Sequence, residues 1–447
     1  MEDQVKRGGN VAAIATMFAL FFMIAFVTNF ASSMGVIAKS QFNASNALSQ
    51  LGNAANFIAY LFMGIPGGLI LKRKGYKFTA LIAVAVGFAG VGVQLISGYI
   101  GSFPVYVTGA FIAGFSMCLL NLVVNPMLNT LGGEGKKGNQ LVQFGCSLNS
   151  VGAFLSPMIL GMLIGEITKD TAFSNAAPAL MIAMGIFAVA FFVVLLSRIP
   201  EPHMETAEEK AARLAGQTSV FADIKATLGY RHFTFGALAI FFYIVIEVGV
   251  PSMGFLYMTE CTKEPLTGAV ISKGPGYVGG AVAGAVVGAY WFCMMIGRLL
   301  GGVVGGRFSS RAQVSFLASV GIVLLLLVMF LPSTMIELPF KTKAVDVAGI
   351  AIEKNIQVPL NMCFMVAVGL CTSVMWGGIF NMAAEGLGKY VPVGSGIFMA
   401  MVFGGILIPV QGVIADACGI LNAYWLSIAL LAYVLFYALV GSKVSKS

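Results

Sequence analysis

A chain of 447 residues in which 58% of the side chains are hydrophobic and only 10% are charged has too little polar surface to cover a soluble globule, so it reads as an integral membrane protein. Its formal net charge of +8 comes from Lys and Arg scattered through short loops between apolar runs, the pattern set by membrane orientation, which argues against a nucleic-acid partner. The seven cysteines lack metal-ligand spacing; Cys118, Cys146, Cys293, Cys363, Cys371 and Cys418 sit in or beside apolar segments as packing residues, and no metal or cofactor is expected.

A window of about 19 residues places membrane spans near 11–34, 48–71, 78–100, 104–128, 139–165, 178–198, 233–258, 278–305, 312–332, 359–384, 392–415 and 420–441. Each is long enough to cross the hydrocarbon core as a helix. The first is too long for the apolar core of a secretory leader and lacks a small-residue cleavage site after it, so it is expected to be a retained helix.

Polar side chains recur at helical spacing through the amino-terminal half. The first span carries Thr28, Asn29, Ser32 and Ser33; Asn53, Asn56 and Tyr60 share a face of the second. On the fourth, Asn121, Asn125 and Asn129 repeat every fourth residue, with Pro126 among them loosening the backbone ladder. Asn139, Gln143 and Ser147 form a row on the fifth, with Asn149 beyond. Hydrogen bonding between helices, worth about 0.6 kcal/mol per contact, would account for any one of these. Four rows within one six-helix unit instead imply a hydrophilic cavity, because amides facing lipid would be unsatisfied.

Residues 199–232 form the most polar stretch and separate an amino-terminal bundle, 1–198, from a carboxy-terminal bundle, 233–447. The run Ala207 to Leu214 is predicted as a short amphipathic helix at the membrane surface within a solvated linker, without chemistry of its own. His203 and His232 fall in this linker or at its membrane edge, so neither serves as a proton relay inside a span.

The seventh span contains Glu247, the one acidic residue inside any span, one turn after Tyr243 and one turn before Pro251. A buried ionisable group in a membrane usually faces a water-filled cavity and takes part in moving something. Three roles stand open for it: accepting hydrogen bonds from substrate hydroxyls, taking up and releasing a proton, or pairing with a basic residue such as Arg298. Trp291, beside Tyr290, and Trp376 are candidates for stacking on apolar faces of a substrate, with Asn381 and Gln411 as further polar candidates. Arg298 and Arg307 read as gating residues that hold loop carbonyls and helix C-termini, and Asp416 as an interfacial charge. The glycine-rich stretch Gly274 to Gly288 lacks the Lys-Ser/Thr ending of a phosphate loop, so ATP use is not indicated.

Placing both termini and the linker on one side gathers most of the 26 Lys and Arg residues there, including Lys72, Arg73, Lys74, Lys77, Lys136, Lys137, Arg307 and Arg311, with Lys39, Lys169, Lys341 and Lys343 opposite. The basic side is then cytoplasmic. Gly67 to Gly75, after the second span, is echoed by Gly301 to Arg307 after the eighth, as in duplicated transporter halves.

These residues in this order resemble the major facilitator superfamily, and within it the fucose/galactose/glucose:proton symporter family. The similarity is carried by Leu20-Phe21-Phe22 leading to Asn29, Gly64-Ile65-Pro66-Gly67-Gly68 with Lys72 to Lys77, and Asn125-Pro126 with Leu131-Gly132. It continues through Leu148 to Ala153, Phe241-Phe242-Tyr243 with Glu247-Val248, Ile296-Gly297-Arg298, and Gly404-Gly405 to Asp416. The resemblance implies an all-α membrane protein with twelve transmembrane helices in two pseudo-symmetric six-helix bundles. Family members that couple sugar to protons carry an aspartate in the first helix and a glutamate in the fourth, where this chain has Ser32 and Asn121. A fifth-helix arginine and glutamine are replaced by Leu141 and Cys146, whereas Asn29 and Asn149 match.

The expectation is a multi-pass, monomeric transporter of the cytoplasmic (inner) membrane, not an enzyme, importing a monosaccharide or sugar derivative by alternating access, with protons as the candidate coupling ion. Its expected substrate site comprises Asn29, Asn121, Asn125, Gln143, Asn149, Glu247, Trp291, Trp376 and Asn381, with Glu247 as the proton-coupling residue. An uncoupled sugar facilitator, a proton-driven exporter of amphipathic compounds and a non-transporting sugar receptor are the alternatives.

Overall fold

The computed structural model describes residues 11–26, 51–133, 135–164, 173–214, 219–263, 270–278, 280–345 and 351–444. Among these, eight helices are long and apolar enough to cross a membrane. One of them, Ala55–Ile100, has 46 residues, about 69 Å at helical rise and twice the hydrocarbon thickness. It is interrupted at Gly75 (φ +84°, ψ 176°), a backbone conformation cheap only for glycine, and so supplies the second and third spans. Val11–Phe26 is the described part of the first span, Phe103–Leu131 the fourth, Gly135–Ile164 the fifth and Phe173–Leu196 the sixth. The seventh to ninth are Arg231–Thr259, Gly280–Gly305 and Ser310–Phe330; the tenth to twelfth are Leu360–Ala384, Gly388–Cys418 and Leu421–Gly441. Helices satisfy most of their backbone polar groups internally, as a bilayer interior requires.

The tenth span is broken between Leu360–Thr372 and Met375–Ala384. The cause is local. Thr372 Oγ1 reaches back to the carbonyls of Val368 and Gly369, both at 3.3 Å, and Ser373 Oγ donates to Leu370 O at 2.6 Å. Such back-bonding competes with the helical ladder and bends it. The break leaves the Ser373 carbonyl to a side-chain donor, whereas that of Val374 still accepts from Gly378 N at 3.0 Å.

Two antiparallel hairpins follow the seventh and ninth spans: β1 (Cys261–Lys263) with β2 (Val270–Lys273), and β3 (Met335–Val345) with β4 (Ala351–Pro359). Hydropathy alone leaves these segments as loops. In β3, Ile336 and Leu338 are half-buried while Glu337 and Pro339 are exposed, the two-residue alternation of a strand with one covered face.

In the linker, the predicted helix Ala207–Leu214 is present, opened by a reciprocal cap: Thr206 N donates to Glu209 Oε2 and Glu209 N to Thr206 Oγ1. A second linker helix, Val220–Gly229, begins at Ser219, whose hydroxyl accepts from Ala222 N.

The halves meet at the end that carries the basic loops. A Cβ at Gly64 would lie 2.6 Å from Ala400 N, and one at Gly68 2.6 Å from Pro392 O, so the second and eleventh spans touch backbone to backbone. The fifth and eighth spans meet likewise, with Gly302 against the Phe144 ring and Lys136 Nζ donating to Arg307 O at 3.1 Å. Toward the other end of the eighth span, Gly284 and Gly288 have no neighbour within 4 Å on their Cβ side among the described residues.

Candidate functional site

Glu247 and Arg298 form an ion pair, Oε1 to Nη2 3.0 Å, with side chains 14% and 10% exposed. An unpaired charge at that depth would be costly, and the guanidinium offsets it. Arg298 does more than neutralise. Its Nη1 donates to Ser150 Oγ at 2.7 Å and to Cys146 O at 3.4 Å on the fifth span, and its Nε to Ser373 O at 3.4 Å at the tenth-span break. The expected capture of a helix-end carbonyl is there, but the residue also ties the seventh, eighth and tenth spans of one half to the fifth of the other. Pro251 lacks the N–H that would bond the carbonyl four residues back, which is that of Glu247. Tyr290 Oη takes this freed carbonyl at 3.1 Å and also lies 3.1 Å from Thr372 Oγ1.

A second set of contacts crosses the halves beside this pair. Asn121 Nδ2 donates to Tyr60 Oη at 3.0 Å, and Asn125 Nδ2 donates to Asn121 O at 3.0 Å and Oδ1 at 3.3 Å. Trp376 Nε1 then donates to Asn125 Oδ1 at 3.2 Å. The Trp376 ring packs against Tyr243 at 6.3 Å and Phe398 at 5.8 Å between centroids. Tyr243 is fully buried, and its hydroxyl has no partner at hydrogen-bonding geometry among the described residues. The fourth-span amide row therefore meets an aromatic group of the other half at Trp376, a polar and aromatic surface of the kind that a small polyhydroxylated molecule requires.

The remaining candidates are placed differently. Gln143 is buried and donates to Val374 O at 2.9 Å, a carbonyl that also accepts from Gly378 N, so it closes the contact between halves. Asn149 donates to Phe21 O at 3.2 Å on the first span. Asn381 donates to Ser310 Oγ at 2.9 Å and Gln411 to Ser427 Oγ at 3.0 Å; both bonds lie within the carboxy-terminal half, away from the amide rows. Trp291 does not join Trp376: it is 41% exposed and meets Tyr290 edge-on at 5.4 Å. It lies two turns before Arg298 on the same helical face, toward the end of the eighth span that carries Gly284 and Gly288. Asn29, with Thr28, Ser32 and Ser33, lies outside the described residues, as does the side chain of Asn53.

Helical spacing singled out Tyr60, Asn121 and Asn125, and the rarity of such groups inside a span Glu247 and Trp376, but the bonding roles of Ser150, Tyr290 and Ser373 went unread. The proline four residues after Glu247 was the available signal for Tyr290, since it announces a carbonyl in need of a donor. In the linker, His203 Nδ1 lies 2.7 Å from Tyr76 Oη, and burial lowers its pKa below the ordinary imidazole value. No group of three or more His, Cys, Asp or Glu side chains able to hold a metal occurs among the described residues. A cavity of about 380 Å³ between the first and sixth spans is lined by aliphatic groups such as Leu20, Met23, Ile186 and Val189; it lacks the converging polar groups of a sugar site.

Comparison with known proteins agrees with this architecture. The chain is 26% identical over 433 residues to a glucose/galactose transporter of Brucella abortus, covering 96% of this chain and 94% of that protein. It is 21% identical over 442 residues to the L-fucose-proton symporter of Escherichia coli, covering 94% and 90%. A crystal structure of a variant of the E. coli fucose:proton symporter FucP superposes with a TM-score of 0.79 at 18% identity, covering 98% of this chain and 100% of that one. The model of the Major Facilitator Superfamily matches residues 16–409, and the chain belongs to that family.

Proposed function

We propose that this protein imports a neutral monosaccharide across the cytoplasmic membrane by alternating access, its two bundles, 1–198 and 233–447, rocking about a site between them. The basic-loop end is the cytoplasmic side, by the excess of Lys and Arg there. One observation carries the reading: the amide chain Tyr60–Asn121–Asn125 meets Trp376 across the halves, beside the Glu247–Arg298 pair. The names of the similar proteins, glucose/galactose transporter and L-fucose-proton symporter, support the substrate class.

Asn121, Asn125, Tyr243 and Trp376 are the proposed sugar-binding groups; Asn149 and Trp291 are secondary candidates, and Asn29 is one from its sequence position alone. Gln143 acts at the seal between halves, and Asn381 within its own half. Glu247 is the coupling residue. A proton on its carboxyl would remove one charge of the pair and loosen Arg298's hold on the fifth span, linking protonation to the contact between halves.

The test is uptake of labelled glucose, galactose and L-fucose into proteoliposomes with and without an inward proton gradient. Accumulation that follows the gradient, and falls in Glu247→Gln while counterflow of preloaded sugar persists, is the expected result. Folded protein that exchanges none of these sugars overturns the substrate reading; unchanged uphill uptake in Glu247→Gln overturns the coupling role.

A further inference from the structure

The linker is the most polar part of the chain, and sugar binding gives it no task. Its second helix, Val220–Gly229, is nevertheless tied to both halves. Lys72, at the basic end of the second span, places Nζ 2.8 Å from Asp223 Oδ2 on that helix, with side chains 11% and 23% exposed. The Lys72 carbonyl accepts from Glu205 N at 2.8 Å, so the same residue holds the linker through its backbone. On the other side, fully buried Thr227 packs against Gly394 of the eleventh span. Only Tyr230 separates this helix from the seventh span, so it travels with the carboxy-terminal half. The first linker helix adds a weaker tie, Glu209 Oε1 to Lys389 Nζ at 3.8 Å.

These contacts sit over the place where the second and eleventh spans touch, Gly64 and Gly68 against Pro392, Gly396 and Ala400. We infer that the second linker helix is a strap across the closed basic-loop end, with the Lys72–Asp223 pair as its clasp. The strap rides on the eleventh span and the clasp is on the second, so the two spans cannot part at this end until the pair breaks. A fully exposed pair would contribute little, but this one is mostly shielded and directly hydrogen-bonded. The strap biases the protein toward the state closed on the linker side, and the halves separate there only in proportion to how often it opens.

The inference rests on the alternating-access reading, but its test requires no sugar. A cysteine at Gly305, where a Cβ would lie 3.4 Å from Asn139 Nδ2 in the closed contact, reports opening through its reaction with a membrane-impermeant maleimide in inside-out vesicles. The parent chain without that cysteine gives the background. Lys72→Gln and Asp223→Asn should each raise the labelling rate on the order of tenfold, as expected for loss of a charge-assisted hydrogen bond. The exchanged pair, Lys72→Asp with Asp223→Lys, should return it most of the way. Unchanged labelling in both single variants, or an exchanged pair that labels as fast as they do, overturns the clasp. If the single variants do not fold, cysteines at both positions joined by a short bis-maleimide provide the second test: bridging must stop labelling at position 305, and continued labelling refutes the strap.

Discussion

Trp376 donates its indole N–H to Asn125 Oδ1 at 3.2 Å, and with this one bond the tenth span is joined to the fourth across the divide between the halves. Trp376→Phe keeps the ring contacts with Tyr243 and Phe398 but deletes the donor. The loss of one such bond, about 1 kcal/mol, should weaken sugar binding about fivefold in equilibrium binding assays. Trp376→Ala also removes the ring and should weaken binding well beyond that.

The Glu247–Arg298 pair should respond asymmetrically to truncation. Glu247→Leu strands a guanidinium that cannot lose its proton, at a cost of about 3–5 kcal/mol. Arg298→Leu strands a carboxyl that can take up a proton and become neutral, so its Tm in detergent should fall less. Equal losses would mean that Glu247 has no access to protons.

Gly68→Leu should keep the basic-loop end from closing, because the backbone of Pro392 occupies the space that the new side chain needs. Uptake should fall at least about tenfold, since a rigid overpacked contact is not relieved by side-chain adjustment. Gly185→Leu is the control: no described residue lies within 4 Å of a Cβ there, and transport should be unchanged.

His203 gives a pH dependence with a definite sign. Burial favours the neutral ring, so the folded protein binds the proton less readily than the unfolded chain, whose imidazole titrates near 6.5. Stability is therefore unaffected well above 6.5 and falls as the pH drops below it toward the folded value. His203→Gln should flatten that part of the stability profile measured by thermal unfolding.

Hydropathy made the helical spans and the linker legible, because a bilayer admits few other structures for long apolar runs. Helical spacing also brought out Asn121 and Asn125 as one row. It could not show that Arg298 lies against Ser150, since periodicity gives the face of a helix but neither its depth nor its neighbour. The tenth-span break was hidden because Thr372 and Ser373, unlike proline, carry no fixed backbone signal that ends a helix. The strands Met335–Val345 and Ala351–Pro359 escaped notice because a search for long apolar runs overlooks alternation.

The glycine contact between the second and eleventh spans has an energetic consequence. Glycine has no rotamers to freeze, so joining or parting Gly64 and Gly68 from Gly396 changes little side-chain entropy. The balance between open and closed forms is then left to a handful of directional bonds, and exchanging one atom in any of them can retune the whole cycle.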